Sequence, residues 1–393
     1  MQVITDTKSL EAACRDLSTA EFVTVDTEFM REQTFWPKLC LIQAASAELE
    51  LIIDPLADGI DLSAFWGLMT NERVVKVFHA ARQDIEIVYA AAKDVPRPVF
   101  DSQVAAMVCG FGDSVSYVNL VKHVTGTNLD KSSRFTDWSR RPLSKKQLAY
   151  AIGDVTHLRD IYLFLREKLA KSERESWLDE EMATLTSPDT YITAPEEAWR
   201  RLKLRVKNRR ALAVLIELAA WRERIAQEQD VPRGRVLRDD ALYDIANQMP
   251  DTTESLSDLR SLSEGFSRSS RAKEIIQAVK TGLDRDTETV PPLRQGKPLS
   301  ADQSATLELL KVLLKAAAAR HDVAARIIAD ASDLEALARN DGAGIQAMKG
   351  WRRQLFGEDA LRLKNGQIAL TLKDGDVKTI PVSTQADATD TPT

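Results

Sequence analysis

Two acidic residues two positions apart, Asp26 and Glu28, lie in an otherwise apolar stretch, FVTVDTEF (22–29). Side chains alternate between the faces of a strand, so both carboxylates share one face. Two like charges on a half-buried strand repel unless something positive compensates them. A divalent cation does so, and Mg²⁺ takes oxygen ligands, often with one or two direct carboxylates. The competing reading is a strand end whose acids face water. Asp84 closes the segment HAARQD (79–84) and falls in the first turn of an expected helix, where the dipole favours a carboxylate without any catalytic role. His79, at the head of that segment, fits a hydrogen-bonded structural histidine as well as a ligand-contacting one. Tyr150 and Asp154 in YAIGD are spaced i and i+4, on one face of a helix. Gly153 between them costs a helix roughly 1 kcal/mol against alanine, which close approach of another backbone or of a ligand would justify.

The elements that must position these residues follow from periodicity. Residues 22–29, 38–46 and 49–55 are expected to be successive strands with short connections, hence antiparallel neighbours. A helix over 61–70, a strand over 74–79, a helix over 81–92, a short strand at 99–100 and helices to about 169 follow. That order predicts a layered α/β domain with a mixed sheet. A turn-rich stretch, 187–195, is expected to be a linker, followed by one long helix over 199–229 and short helices to about 283. A second polar stretch, 284–298, separates a further helical unit, and the Thr/Asp/Ala-rich end from about 382 is expected to fray. Residues 227–246 resemble residues 319–338: each has Asp-Val after a long helix, an apolar pair, an Asp and a short amphipathic helix.

The 393 residues suggest two or three domains. With 44% hydrophobic and 28% charged residues the composition is that of a globular chain, and no apolar run reaches the length of a membrane span. The first residues lack an apolar signal region, and Cys14, Cys40 and Cys109 show no metal spacing, so a cytoplasmic protein with reduced thiols is expected. The net charge of −6 is uneven: residues 1–198 carry −10, residues 199–283 carry +5 and residues 284–393 carry −1. An acidic part beside a basic part suggests a carboxylate-rich site joined to an anion-binding module.

In order, DxE on a strand, Asp at a strand-to-helix junction and YxxxD on a later helix span about 130 residues. This set resembles the DEDD superfamily of 3′→5′ exonucleases, in the subgroup with Tyr in its third motif, over residues 1–170. The stretches VDTEFMRE (25–32), KLCLIQ (38–43), FHAARQD (78–84), FDSQVAA (100–106), LDKSSRFTDWSRRPLS (129–144) and QLAYAIGDVTHL (147–158) narrow the resemblance to the ribonuclease D family. The remainder looks like two copies of the HRDC domain, the second lacking the Pro and the Arg cluster of the first. The resemblance implies an α/β ribonuclease H-like exonuclease domain over 1–187, its mixed sheet flanked by helices. Two all-α HRDC-type domains over 195–283 and 297–380 and a disordered tail over 381–393 would follow.

The same resemblance implies roles. Asp26 bridges two divalent ions, Mg²⁺ or Mn²⁺; Glu28 and Asp154 complete one ion's site and Asp84 acts on the other. Tyr150 orients the attacking water, and 5′-mononucleotides leave from a free 3′ end. RNA, tRNA precursors above all, is the implied partner, with no membrane and no obligate protein partner. Phe29 could stack on the terminal base, Lys131 could contact a phosphate, His79 could touch RNA, and Trp138 is expected to pack. Seven cations among residues 200–210, with Arg205 and Arg209 taken as RNA contacts, form a phosphate-binding footprint or a solvated face. A DNA exonuclease with the same four acids and a silent RNA-binding scaffold are the alternatives.

Overall fold

The computed structural model describes residues 2–129, 136–192, 194–263, 265–293 and 298–382. Lys131 and the end of the chain from residue 383 lie outside these residues. The α/β unit runs β1 (Gln2–Ile4), α1 (Thr7–Leu17), β2 (Phe22–Met30), β3 (Lys38–Ala45), β4 (Glu50–Ile53), α2 (Ser63–Met69), β5 (Val75–Phe78), α3 (Arg82–Ala92), β6 (Val99–Asp101), α4 (Ser102–Val108), α5 (Tyr117–Thr125) and α6 (Lys145–Lys171). The strands form one mixed sheet in the order β1-β4-β3-β2-β5-β6. As expected, β2, β3 and β4 are antiparallel neighbours. β1, β5 and β6 pair in parallel.

Neither β1 nor α1 was expected. A three-residue edge strand is too short to show alternation, although Leu10, Ala13, Cys14 and Leu17 do bury one helical stripe of α1. Val23 and Val25 of β2 pack toward α1, α2 and α3. The opposite face of β2 meets α6, where Thr24 donates to the Val155 carbonyl at 2.8 Å. The central strand is therefore covered on both sides, and acids on its α6 face cannot simply point into water.

After α7 (Asp179–Leu185), the first helical unit comprises a 3₁₀ segment (Pro195–Arg201), α8 (Arg209–Glu228), α9 (Arg233–Val236), α10 (Asp239–Gln248) and α11 (Ser270–Asp284). The single helix expected over 199–229 is corrected. Leu202 and Val206 turn inward from an irregular stretch, and Asn208 caps α8 by accepting from the Ala211 N–H at 2.9 Å. The second unit runs α12 (Ala301–His321), α13 (Ala325–Ile328), α14 (Ala331–Arg339), α15 (Gly350–Arg352), a π-turn (Arg353–Gly357), α16 (Glu358–Lys364), β7 (Ile368–Lys373) and β8 (Asp376–Pro381). It is thus not all helical. The β7–β8 hairpin turns on Asp374-Gly375, with φ of 55° and 86°, an Asp-Gly signal that was present in the sequence. The repeated segments do share an order: α8–α9–α10 and α12–α13–α14 each place a positive-φ aspartate, Asp230 (47°) and Asp322 (48°), after the long helix.

The second unit shares an apolar core with α4, α5 and α6. Trp177 stacks on Trp351 at 4.3 Å, and buried Arg352 donates to Glu180 and Glu181 at 2.5 and 2.6 Å. The first unit grips the β2–β3 turn instead: Phe35 enters its core, and Asp230 accepts from the Phe35 and Trp36 N–H groups at 3.0 and 2.9 Å. Among the described residues no helix is long and apolar enough to cross a membrane.

Candidate active site

Alternation along β2 places Asp26 and Glu28 on the face that meets α6, as their spacing predicts. A register shift between Glu28 and Phe29 then bends the strand just beyond the acids. From the opposite side, α6 begins with a capping box in which Ser144 and Gln147 satisfy each other's backbone N–H groups. Two turns further on it presents Asp154. Carboxylate oxygens of Asp26, Glu28 and Asp154 come within 4.8 Å of one another. Burial first, and then the charge of Asp154, push the Asp26 carboxyl well above the ordinary carboxylate range.

Asp84 is set apart from this trio. The strand-to-helix turn delivers it through Ala80, whose φ of 60° is held by Asp101 accepting from the Ala80 and Ala81 N–H groups at 2.9 and 2.8 Å. The Asp84 side chain is buried and accepts from Thr27 Oγ1 at 2.5 Å. Burial, then the Asp26 charge, also raise it well above the ordinary range. All four acids thus converge from three elements, but three form one group and the fourth sits beside it.

A cavity of about 530 Å³ opens on two of the trio, Asp26 and Asp154, and is lined also by Tyr150, Tyr117, His79 and Lys146. Tyr150 lies 6.1 Å, ring to ring, from buried Trp138, which packs as expected. Gly153 also lines the cavity, and a Cβ built there would meet no atom within 4 Å. The close backbone approach proposed for it is therefore absent among the described residues, and its open side belongs to the cavity. His79 shares a hydrogen bond with Ser102 Oγ at 2.9 Å, and burial holds its ring below the usual histidine range. Phe29 is half-buried past the bulge and is not among the residues lining the cavity.

The cation run is less uniform than its sequence. Arg200 pairs with Glu197, Arg209 lies 3.8 Å from Glu288, and Arg210 donates to the Leu283 and Arg285 carbonyls at 2.6 and 2.8 Å. Lys203, Arg205 and Lys207 are exposed in the irregular stretch before α8. Arg200 and Arg201 end the 3₁₀ segment and only Arg209 and Arg210 stand on an α-helix, so the run does not start one long helix as expected.

A family model for a 3′-5′ exonuclease matches residues 1–170, and one for the HRDC domain matches residues 211–279. The chain is 52% identical to ribonuclease D of Nitrobacter hamburgensis over 96% of this chain and 98% of that protein. It is 48% identical to ribonuclease D of Bartonella henselae, over 96% and 94%. The chain belongs to the ribonuclease D family. Its fold matches the crystal structure of Escherichia coli RNase D, an exoribonuclease involved in structured RNA processing, with a TM-score of 0.81 and 28% identity over 93% of this chain and 98% of that one.

The exonuclease fold implies divalent metal ions, and the residues present fit them. Three oxygen donors converge at one point, and burial and mutual charge push the Asp26 and Asp84 carboxyls well above the ordinary range in a way a cation would relieve. The fully buried Gln43 amide, paired in register with Asp26, has no partner among the described residues. Sequence reasoning about this ribonuclease D-family chain missed the groups that hold the acids. Tyr117 Oη donates toward the Gly153 and Asp154 carbonyls at 2.9 and 2.8 Å. Thr24 bonds the next carbonyl, Thr27 bonds Asp84, and Asp101 fixes the turn. Of these only Asp101 carried a local signal, as an acid directly before a helix.

Proposed function

We propose that this chain is a 3′→5′ exoribonuclease that trims the 3′ ends of structured RNAs, tRNA precursors among them, in the cytoplasm and releases 5′-mononucleotides. The observation that carries the reading is the convergence of the Asp26, Glu28 and Asp154 carboxylates within 4.8 Å of one another, with Asp26 and Asp154 on the wall of one cavity. Two divalent ions, Mg²⁺ or Mn²⁺, would supply charge stabilisation for the attacking and leaving oxygens of an in-line displacement. Asp26 would hold both, with Glu28 and Asp154 completing one site and Asp84 serving the other.

The chain's own groups supply the rest. Tyr150, one helical turn from Asp154, orients the water that attacks the terminal phosphodiester. The phosphorus–O3′ bond breaks, the upstream strand keeps a new 3′ hydroxyl, and the phosphate stays on the released nucleotide. Tyr117 and Thr24 fix the carbonyls around Asp154, so that carboxylate is positioned before substrate arrives. The three buried thiols form no disulfide, in keeping with a reducing compartment.

The test is digestion of a 3′-tailed tRNA, with and without EDTA, resolved by length, beside RNA and DNA single strands in competition. Stepwise shortening from the 3′ end that EDTA stops, with RNA preferred, is expected. Internal cuts, shortening from the 5′ end or preference for DNA would overturn the reading.

A further inference from the structure

The α6 helix begins with two lysines in its first turn, Lys145 and Lys146, and no acid. The exposed N–H groups there make the helix start partly positive, so cations are disfavoured at that end. Lys146 also lines the cavity and is the one lysine or arginine among its described lining residues. Its side chain is exposed, and no carboxylate of the described residues lies within 4 Å of its ammonium. A cation kept at the unfavourable end of a helix, with no carboxylate partner among the described residues, on the wall of a cavity whose other charged lining residues are carboxylates, calls for an anionic ligand.

Its placement says which anion. Lys146, Tyr150 and Asp154 follow at i, i+4 and i+8 on one face of α6, so Lys146 stands about 12 Å along the axis from the acid cluster. The capping box on Ser144 and Gln147, and the Gln147 bond to Thr136 at 3.3 Å, fix the turn that carries it. A strand whose 3′-terminal phosphodiester lies at the acids has its remaining phosphates on the 5′ side only. We infer that Lys146 binds a backbone phosphate of the RNA upstream of the scissile one, where it offsets the repulsion of an α/β unit carrying −10 over residues 1–198. The inference rests on the exonuclease reading and adds to it a substrate contact.

The test compares wild type, Lys146→Ala and Lys146→Arg on single-stranded RNAs that carry one neutral methylphosphonate at the second, third or fourth linkage from the 3′ end. On all-phosphate RNA, Lys146→Ala should raise KM several-fold with kcat little changed, lower the salt slope of binding by about 0.7, and be restored by Lys146→Arg. At one methylphosphonate position the difference between wild type and Lys146→Ala should vanish, because the partner charge is already gone. An unchanged KM, a loss confined to kcat, or an equal deficit at every position would overturn the assignment. Failure of the wild type to shorten the unmodified strand would instead sink the exonuclease reading.

Discussion

The acid cluster and the cation run of residues 200–210 both gather like charges in sequence, and the fold treats them in opposite ways. Asp26, Glu28 and Asp154 are drawn from β2 and α6 to within 4.8 Å, with Asp84 beside them. Of the seven cations, Arg200, Arg209 and Arg210 find partners within the protein, while Lys203, Arg205 and Lys207 stand in solvent. Like charges that converge in a buried place need a counter-ion held at short range. Like charges that disperse on a surface give a long-range, salt-sensitive field. We propose the first as a catalytic metal site and the second as a diffuse nucleic-acid footprint.

The largest effect should come from the converging side. Asp26→Asn removes the central carboxylate and should leave no measurable cleavage while the chain still folds and binds RNA; activity above a few per cent of wild type in gel assays would break the comparison at its strongest point. Tyr150→Phe keeps the ring and loses the hydroxyl. Positioned proton-transfer groups contribute about 10²–10⁴-fold, and that loss should fall in kcat with KM little changed. A rise in KM at constant kcat would make the tyrosine a substrate contact instead.

The dispersed side should respond more gently. Replacing Lys203, Arg205 and Lys207 together by alanine should flatten the dependence of log K on log salt by about 2, at roughly 0.7 per phosphate contact on single strands. An unchanged slope in filter binding would show those three side chains to be merely solvated.

The smallest effect is a matter of sign. Asp26 and Asp84 titrate above the ordinary carboxylate value of 3.8, so in EDTA the folded protein holds protons that the unfolded chain has lost. Stability from these groups is full below that ordinary value and is lost as pH rises through their folded values. Thermal melts in EDTA should therefore show wild type losing stability toward neutral pH relative to Asp26→Asn, and divalent ions should remove the difference. A wild type that gains on the variant as pH rises would contradict the convergence itself.

Net charge proved a poor guide to the second helical unit. At −1 over residues 284–393 it promises little for RNA binding, and nothing in that number reveals that it is welded to the α/β unit. The bond is made by Arg352 between Glu180 and Glu181 and by a shared apolar core. Charge counts report far fields, whereas docking depends on which few side chains meet.

What the sequence determined by itself was local. Alternation put Asp26 and Glu28 on one face, the i, i+4 spacing put Tyr150 beside Asp154, and the antiparallel run β2–β3–β4 followed from short connections. These depend only on the geometry of neighbouring residues, which the spacing writes directly. Tertiary structure alone decided that Asp84 hangs on Thr27, that Tyr117 and Thr24 fix the carbonyls around Asp154, that Asp101 holds the strained turn at Ala80, and that Arg210 is spent on backbone carbonyls. Each of those contacts joins segments far apart in the chain. Their partners are chosen by how the sheet and helices pack, and no spacing along the chain records that choice.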